Sequence, residues 1–280
     1  MSHERILRQR LRVLGTLHEA VGALRSLSAH HFRAARAALP LARVYRAEVE
    51  TTLAVLPRLL PPHGQEDGPP AVVVIAADLG LCGDYAAQLA AEAAAARAAL
   101  GAGLLWCVGR RAVRPLAHAG LTPDRVWAGA AGTAALPRLL VPLVDEIVTA
   151  RTAGRIGPLV LVAARFEGAG RFRPARVTVL PVRPAADAAP LRPTPYARPA
   201  HLAAVLVREF LYVALHETLL DALAAEHGKR LVVAESARGW LEERMHVTAR
   251  QLGAVRREAT TQEVLEVAAG VRVLRRSTEG

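Results

Sequence analysis

One short stretch of this sequence combines a cysteine, an aspartate and two glycines in a way that suggests chemistry. The segment AADLGLCGDYAAQLA occupies residues 76–90 and follows the apolar run AVVVI, a pattern typical of a strand-to-helix corner. A thiol near a helix N-terminus is stabilised as its thiolate, which is the nucleophilic form. Cys82 is therefore a candidate nucleophile, and Asp78 is a candidate group to orient a general base. One hypothesis is a cysteine hydrolase built on a doubly wound α/β sheet.

The rest of the sequence gives the hydrolase hypothesis little support. Such an enzyme needs a general base, and the one histidine between residues 70 and 185, His118, lies on a predicted helix. Gly80 and Gly83 match neither the dinucleotide-binding fingerprint nor the P-loop. The favoured interpretation is that these glycines permit a tight corner and that Cys82 is a small packed side chain. No cofactor is expected, and the two cysteines lack the spacing of a metal site or a disulfide framework.

Short apolar runs alternate with helical patterns through the middle of the chain. The predicted strands lie at 71–78, 104–109, 124–129, 158–166 and 176–182, and the predicted helices at 84–100, 110–119 and 133–152. This alternation predicts a Rossmann-like, mostly parallel α/β sheet with helices on both faces. Pro181 lacks a backbone donor, so the last strand is predicted at the sheet edge. Sheets of this kind bind ligands at the carboxyl ends of their strands, which is where the corner lies.

The two ends of the chain carry long helical patterns. Apolar residues recur at steps of three or four from Leu7 to Leu27 and again from Ala234 to Ala259. A continuous C-terminal helix of about 70 residues would be roughly 100 Å long, so it must pack on another long element. We therefore expect a long antiparallel coiled coil of the N- and C-terminal helices, with the α/β domain inserted between them.

The expected domain boundaries follow from these patterns. The N-terminal coiled-coil helix is expected over 1–60, the inserted α/β domain over 70–185 and the C-terminal coiled-coil helix over 200–272. Pro40 lies inside the first helical pattern and is expected to kink or interrupt that helix, because proline removes a backbone hydrogen bond.

The charge of the chain narrows the range of partners. The formal net charge is +11, and Lys229 is the only lysine among 36 basic residues. This balance predicts attraction to an acidic surface. Nucleic acid fits least well, because the arginines are spread along the chain and only 4% of residues are aromatic. No window of about 18 uncharged apolar residues is present, and the N-terminus lacks the apolar core of a signal peptide, so a cytoplasmic location is expected.

Taken together, these features resemble the gamma subunit of F-type ATP synthases. The family signature Ser-Asp-Arg-Gly-Leu-Cys-Gly-Gly matches residues 77–84 at five of eight positions. A second signature in the tail matches Ala224, Glu226, His227, Arg230 and Ala237, and a third matches Arg256, Thr261, Glu263, Glu266 and Gly270. The matching motifs occur along essentially the whole chain, in the same order as in the family. Leu79 stands where the family usually has a basic residue, so the chain resembles a divergent member of the family. A subunit of a secondary rotary ATPase is one alternative that this divergence leaves open.

The resemblance implies a mechanical role rather than a catalytic one. In the family, the coiled coil stands inside a hexamer of alternating alpha and beta subunits, and the α/β domain forms a foot against the epsilon subunit and the membrane c-ring. Ion flow turns the shaft, which biases the catalytic beta subunits in turn. The resemblance implies a peripheral place on the cytoplasmic face of the bacterial plasma membrane. The coupling ion and the direction, synthesis or hydrolysis, stay open.

The resemblance also implies roles for particular residues. Contacts with the bearing and loops of the hexamer are expected at Leu24, Arg25, Arg230, Arg256, Arg257 and Glu263. The corner of the foot domain is expected at Asp78, Gly80, Cys82 and Gly83. The alternatives are the cysteine hydrolase that uses Cys82 and Asp78, and a free coiled-coil adaptor.

Overall fold

The computed structural model describes residues 3–53, 68–168, 170–182, 196 and 198–278. The chain divides into two units. The terminal unit consists of Met1–Ser26 and Ala234–Gly280, and the sheet unit of Leu27–Val233. Within the described residues, no helix has the length and apolar character needed to cross a membrane.

Two long helices begin and end the chain. Helix α1 spans His3–Thr52, and the last helix, α5, spans Pro199–Thr278. In the terminal unit they run antiparallel, because Glu4 pairs with Arg256 at 2.9 Å while Arg25 pairs with Glu235 at 2.6 Å. The buried seam of this unit consists of Leu7, Leu14, Ala234, Leu241, Thr248 and Leu252. The predicted antiparallel coiled coil is confirmed.

Helix α1 continues through Pro40, so the expected interruption is wrong, while the alternative expectation of a kink stays a prediction. The Pro40 residue is exposed, whereas the preceding Leu39 is only 1% exposed. The proline ring therefore lies on the solvent side of the helix, where the carbonyl it leaves unpaired can bond to water. Packing of the opposite face keeps the helix intact.

The sheet unit contains a five-stranded, mostly parallel sheet with helices on both faces. Its elements are β1 Ala71–Ile75, α2 Tyr85–Leu100, β2 Leu104–Val108, α3 Val113–His118, β3 Arg125–Trp127, α4 Leu136–Thr152, β4 Leu159–Gly168 and β5 Arg171–Leu180. The strand order is β3-β2-β1-β4-β5, and only β5 runs antiparallel to its neighbour. The Rossmann-like sheet and the edge position of the last strand agree with the sequence prediction. Strand β5 begins at Arg171, five residues earlier than expected.

Alternation along β1 divides the core of the sheet unit into two layers. Val73 and Ile75 face a layer that includes α4 and parts of α1 and α5. Val72 and Val74 face the other layer, which includes α2 and α3. Successive strand residues point to opposite faces, so an all-apolar strand such as AVVVI must be covered on both sides. The long helices are therefore part of the fold of the sheet unit.

The predicted domain boundaries stay predictions. Residues 54–67 and 183–195, where the helix ends and the inserted domain were expected to meet, lie outside the described residues.

Candidate functional site

The candidate site is the loop between β1 and α2, which we call the corner loop, residues 76–84. Two of its residues adopt left-handed backbone angles: Leu81 has a φ of 60° and Gly83 a φ of 58°. Glycine accepts this conformation without strain, whereas a leucine there is uncommon. Gly83 thus has the backbone conformation expected of a glycine at this corner, whereas Gly80 lies outside the left-handed region and Leu81 adopts it instead.

Asp78 ties the corner loop to the residues that follow β2. Its carboxylate accepts a hydrogen bond of 2.8 Å from the backbone N–H of Arg110 and one of 3.0 Å from the Arg110 guanidinium. Burial opposes ionisation, but the hydrogen bonds from Arg110 and Gly129 hold the pKa of Asp78 below its ordinary value. Asp78 is thus an ionised anchor between two loops at the carboxyl ends of β1 and β2.

Cys82 is buried and chemically quiet. Its Sγ lies 3.6 Å from the Gly80 carbonyl oxygen and 3.8 Å from that of Leu79, which are weak contacts. Burial raises the pKa of Cys82 to about 11, although Arg230 favours the thiolate. At neutral pH the side chain is a thiol, not the nucleophilic thiolate. The structure therefore does not support the cysteine hydrolase alternative, and Cys82 is the packed corner residue that the favoured interpretation describes.

The space beside the corner loop is occupied by α5. The Arg230 side chain is completely buried and donates hydrogen bonds to the carbonyl oxygens of Leu79 at 3.2 Å and Gly80 at 3.1 Å. It also pairs with Glu226 at 2.6 Å and donates to Nδ1 of His227 at 3.0 Å. We call Glu226, His227 and Arg230 the α5 cluster. It lies where related sheets would hold a ligand.

Burial sets the protonation of the α5 cluster. It lowers the pKa of His227 to about 3, with a further contribution from the Arg230 guanidinium. The imidazole is therefore neutral, and because Nδ1 accepts from Arg230, the proton is on Nε2. Nε2 is buried without a hydrogen-bond partner among the described residues, and the backbone of Ala131 partly opposes the lowering of the His227 pKa. Burial also raises the pKa of Glu226, against the opposing effect of Arg230.

Helix α1 closes the same end of the sheet. The His31 ring lies 5.0 Å from the His227 ring, centroid to centroid. A Cβ at Gly132, in the segment after β3, would lie 2.3 Å from Nδ1 of His31, so a side chain at this position would displace the His31 ring. Side chains from both long helices thus fill the crevice at the strand ends.

Sequence reasoning missed part of this arrangement. The tail signature includes Glu226 and His227 without indicating a role for either, and the resemblance implies that Arg230 contacts the hexamer. A residue that contacts the hexamer must be exposed on this chain, whereas Arg230 is fully buried. One signal was available, because the surrounding stretch LLDALAAEHG lacks the polar stripe that an exposed helix face would show.

Comparison with known proteins agrees with this geometry. The family model described as ATP synthase matches residues 3–274. The chain belongs to this family. The ATP synthase gamma chain of Moorella thermoacetica is 26% identical over 299 aligned residues, which cover 98% of this chain and 100% of the relative. The gamma chain of Desulforamulus reducens is 25% identical, with the same coverage of 98% and 100%.

Solved structures share the fold of this ATP synthase family member. A chain of the Euglena gracilis mitochondrial ATP synthase, in a structure of OSCP, F1 and c-ring, has a TM-score of 0.65 at 15% identity and covers 99% of this chain and 96% of its own. A chain of the Tetrahymena thermophila central stalk and c-ring has a TM-score of 0.60 at 14% identity, covering 78% of this chain and 99% of its own. The resemblance to gamma subunits is confirmed.

The other residues expected to contact the hexamer all lie in the terminal unit of this family member. Leu24 is half-buried, whereas Arg25, Arg256, Arg257 and Glu263 are exposed. Arg25 and Arg256 form ion pairs with Glu235 and Glu4 of the partner helix. Their exposure leaves them available to a partner, and their role as hexamer contacts stays a prediction.

Proposed function

We propose that this chain is the central-stalk subunit of an F-type rotary ATP synthase, a shaft that turns inside a hexamer of alternating alpha and beta subunits. The observation that carries the proposal is the antiparallel pairing of the two chain ends, seen in the ion pairs of Glu4 with Arg256 and Arg25 with Glu235. Membership of the ATP synthase family supports it. So do the structures of similar fold, which are described as parts of a rotor or a central stalk.

The proposed role is mechanical coupling without catalysis by this chain. Ion flow through the c-ring turns the shaft, and the asymmetric shaft presents different faces to the three catalytic beta subunits. Each face favours one conformation of a beta subunit, so rotation shifts the populations of their states. In this role the beta subunits bind and convert ATP, and this chain transmits the rotation.

The exposed residues of the terminal unit suit contacts that form and break as the shaft turns. We propose that Leu24, Arg25, Arg256, Arg257 and Glu263 contact the hexamer. Ion pairs between exposed side chains are each worth about 0–1 kcal/mol, so they exchange readily. Arg230 is excluded from this set because its side chain is buried within the sheet unit.

The proposal places the sheet unit at the foot of the shaft. There it would contact the epsilon subunit and the c-ring, on the cytoplasmic face of a bacterial plasma membrane. The chain would be a peripheral member of the complex, held to the membrane through the c-ring.

Co-expression tests the proposal. The full chain, produced with alpha and beta subunits encoded beside it, is expected to form a complex with one copy per hexamer, as measured by native mass spectrometry. A gold rod attached to the sheet unit of the immobilised complex is expected to rotate when ATP is added. Failure to join any such hexamer would overturn the proposal, and a free coiled-coil adaptor would then be the better interpretation.

A charge reversal in the complex tests the proposed contact surface. Arg257→Glu is expected to weaken binding to the hexamer several-fold at low salt, with a smaller effect at high salt, because screening reduces interactions between exposed charges. Arg138→Glu, an exposed arginine on α4 of the sheet unit, is the matched control and should bind like the unmodified chain. Equal affinities for the two variants would remove Arg257 from the contact surface.

A further inference from the structure

Arg230 is the most completely buried charged side chain among the described residues, and its bonds join two elements. Its side chain has no accessible surface. On its own helix it contacts Glu226 and His227, and across the interface it donates to the backbone oxygens of Leu79 and Gly80. The guanidinium is planar and carries five N–H donors, so it can hold acceptors on several sides at once.

The corner loop depends on this donor. Among the hydrogen bonds of the described residues, these two oxygens otherwise accept only weak contacts from the Cys82 thiol, at 3.8 Å for Leu79 and 3.6 Å for Gly80. The loop also holds Leu81 at a φ of 60°, a conformation that persists only where the surroundings enforce it. Arg230 supplies hydrogen bonds to the two residues that directly precede this strained position.

The outer side of the corner loop forms an exposed surface. Leu79 is 51% exposed and Leu81 is 41% exposed. They line an open depression of about 450 Å³ together with the side chains of Arg110, Arg111 and Arg114. The orientation of this basic and apolar surface depends on the backbone between Leu79 and Leu81.

We propose that Arg230 is a positioning residue that fixes the corner loop to helix α5, so that the surface around Leu79 and Leu81 moves with the helix as one body. This inference rests on the proposed function, because a rigid connection between the corner loop and α5 matters most in a chain that transmits rotation. We call this connection the joint. Slack at the joint would allow the corner loop to lag behind the helix. Arg230 therefore supports the coupling of ATP hydrolysis to ion transport without contacting a partner.

Hydrogen exchange in the isolated full chain tests the joint directly. Arg230→Met alone leaves Glu226 buried without its cation, so the double variant Glu226→Gln with Arg230→Met is the main test. The amides of Tyr85, Arg110 and Arg111 donate hydrogen bonds to oxygens of the corner loop, and we call them the corner amides. They are expected to exchange at least about tenfold faster than in the unmodified chain, while amides of β1 and β4 keep their rates. If the corner amides keep their protection relative to these strands, the proposal is overturned.

Lys229 provides a matched control on the same helix. Its side chain pairs with Asp84 of the corner loop at 3.1 Å but is partly exposed. Lys229→Met removes this contact, and the corner amides are expected to exchange within about twofold of the unmodified rate, because an exposed ion pair adds little. An equal increase in both variants would show that any loss of charge loosens the loop, which would contradict the specific role of Arg230.

The assembled complex provides a readout that a merely structural role would not change. In membrane vesicles, the Glu226→Gln and Arg230→Met variant is expected to hydrolyse ATP at the unmodified rate or faster, while the number of ions pumped per ATP falls at least twofold. An unchanged ratio would overturn the proposal. If the unmodified chain forms no complex, the proposed function fails, and the exchange experiment still decides whether Arg230 holds the corner loop.

Discussion

At the scale of single residues, burial removes the reactivity that the side chains at the corner would have in water. Cys82 remains a thiol and His227 remains neutral, because desolvation disfavours the charged form of each. A protonated thiol cannot act as a nucleophile, and an imidazole with a pKa of about 3 is a poor base at pH 7. The same atoms instead pack the joint between the corner loop and α5.

Alkylation measures this loss of reactivity. With its pKa raised from 9.0 to about 11, Cys82 has about one hundredth of the ordinary thiolate fraction, so iodoacetamide at pH 7.5 is expected to modify it at least ~100-fold more slowly in the folded chain than in urea. Peptide mapping separates Cys82 from Cys107, which is also buried. Modification of Cys82 at the rate of a free thiol would contradict its burial. Cys82→Ala should leave ATP turnover by the assembled complex nearly unchanged.

The lowered pKa of His227 predicts how the free energy of unfolding changes with pH. Between its folded pKa of about 3 and its ordinary value of 6.5, the unfolded chain binds a proton that the folded chain does not. The free energy of unfolding should therefore fall as pH decreases below 6.5, by up to about 1.4 kcal/mol per pH unit from this group. Glu226 acts in the opposite direction, because its raised pKa lets the folded chain keep a proton at pH values where the unfolded chain has already lost it.

Urea unfolding from pH 7 to pH 4 tests this assignment. His227→Asn retains an acceptor for Arg230 but cannot titrate, so its unfolding free energy should depend less steeply on pH. Equal slopes in His227→Asn and the unmodified chain would show that other groups cause the dependence.

At the scale of elements, α5 changes character along its length. Residues 218–228 are buried on every side, whereas residues 256–269 are exposed on every side. Two glycines show the contrast. A Cβ at Gly228 would lie 3.0 Å from the Phe166 ring and 3.4 Å from the Phe32 ring, while a Cβ at Gly239 would meet nothing within 4 Å.

Alanine substitution at these glycines should have opposite effects on stability. Gly239→Ala is expected to stabilise the helix by up to about 1 kcal/mol, because alanine has the higher helix propensity. Gly228→Ala is expected to destabilise the chain by about 1–3 kcal/mol, because Phe166 packs edge-on against Phe32 and has little room to move. Denaturant unfolding of the two variants measures the difference. If the Gly228→Ala chain is as stable as the unmodified one, the Phe166 and Phe32 rings can move to accommodate the added methyl group.

At the scale of the whole molecule, the two units differ in the amount of buried apolar core that stabilises each of them. The sheet unit has two layers of buried apolar residues around its sheet, whereas the terminal unit has a single seam between two helices. Apolar side chains near the C-terminus stay exposed, among them Val264 at 62% and Val267 at 68%. An exposed apolar surface of this kind is typical of a segment that a partner covers.

Hydrogen exchange of the isolated chain should reflect this difference. Amides of residues 257–269 are expected to exchange about 100-fold or more faster than those of residues 210–230, because local opening there exposes no buried core. In a complex with alpha and beta subunits, residues 257–269 should become protected while residues 210–230 change little. Uniform protection in the isolated chain, or no gain in the complex, would contradict a partner-covered C-terminal segment.

The sequence by itself determined the architecture, because periodic patterns report on it directly. Steps of three and four at both ends predicted the paired helices, and apolar runs such as AVVVI predicted a sheet covered on both faces. Pro40 was expected to kink or interrupt α1, and the interruption is wrong, because the sequence does not show which face of the helix meets water. Only the tertiary structure decided the role of the corner. The reactivity of Cys82 and the accessibility of Arg230 to a partner both depend on burial. That burial arises where the corner loop packs against α5, as in the contact of Gly80 with Arg230, which lie 150 positions apart in the chain.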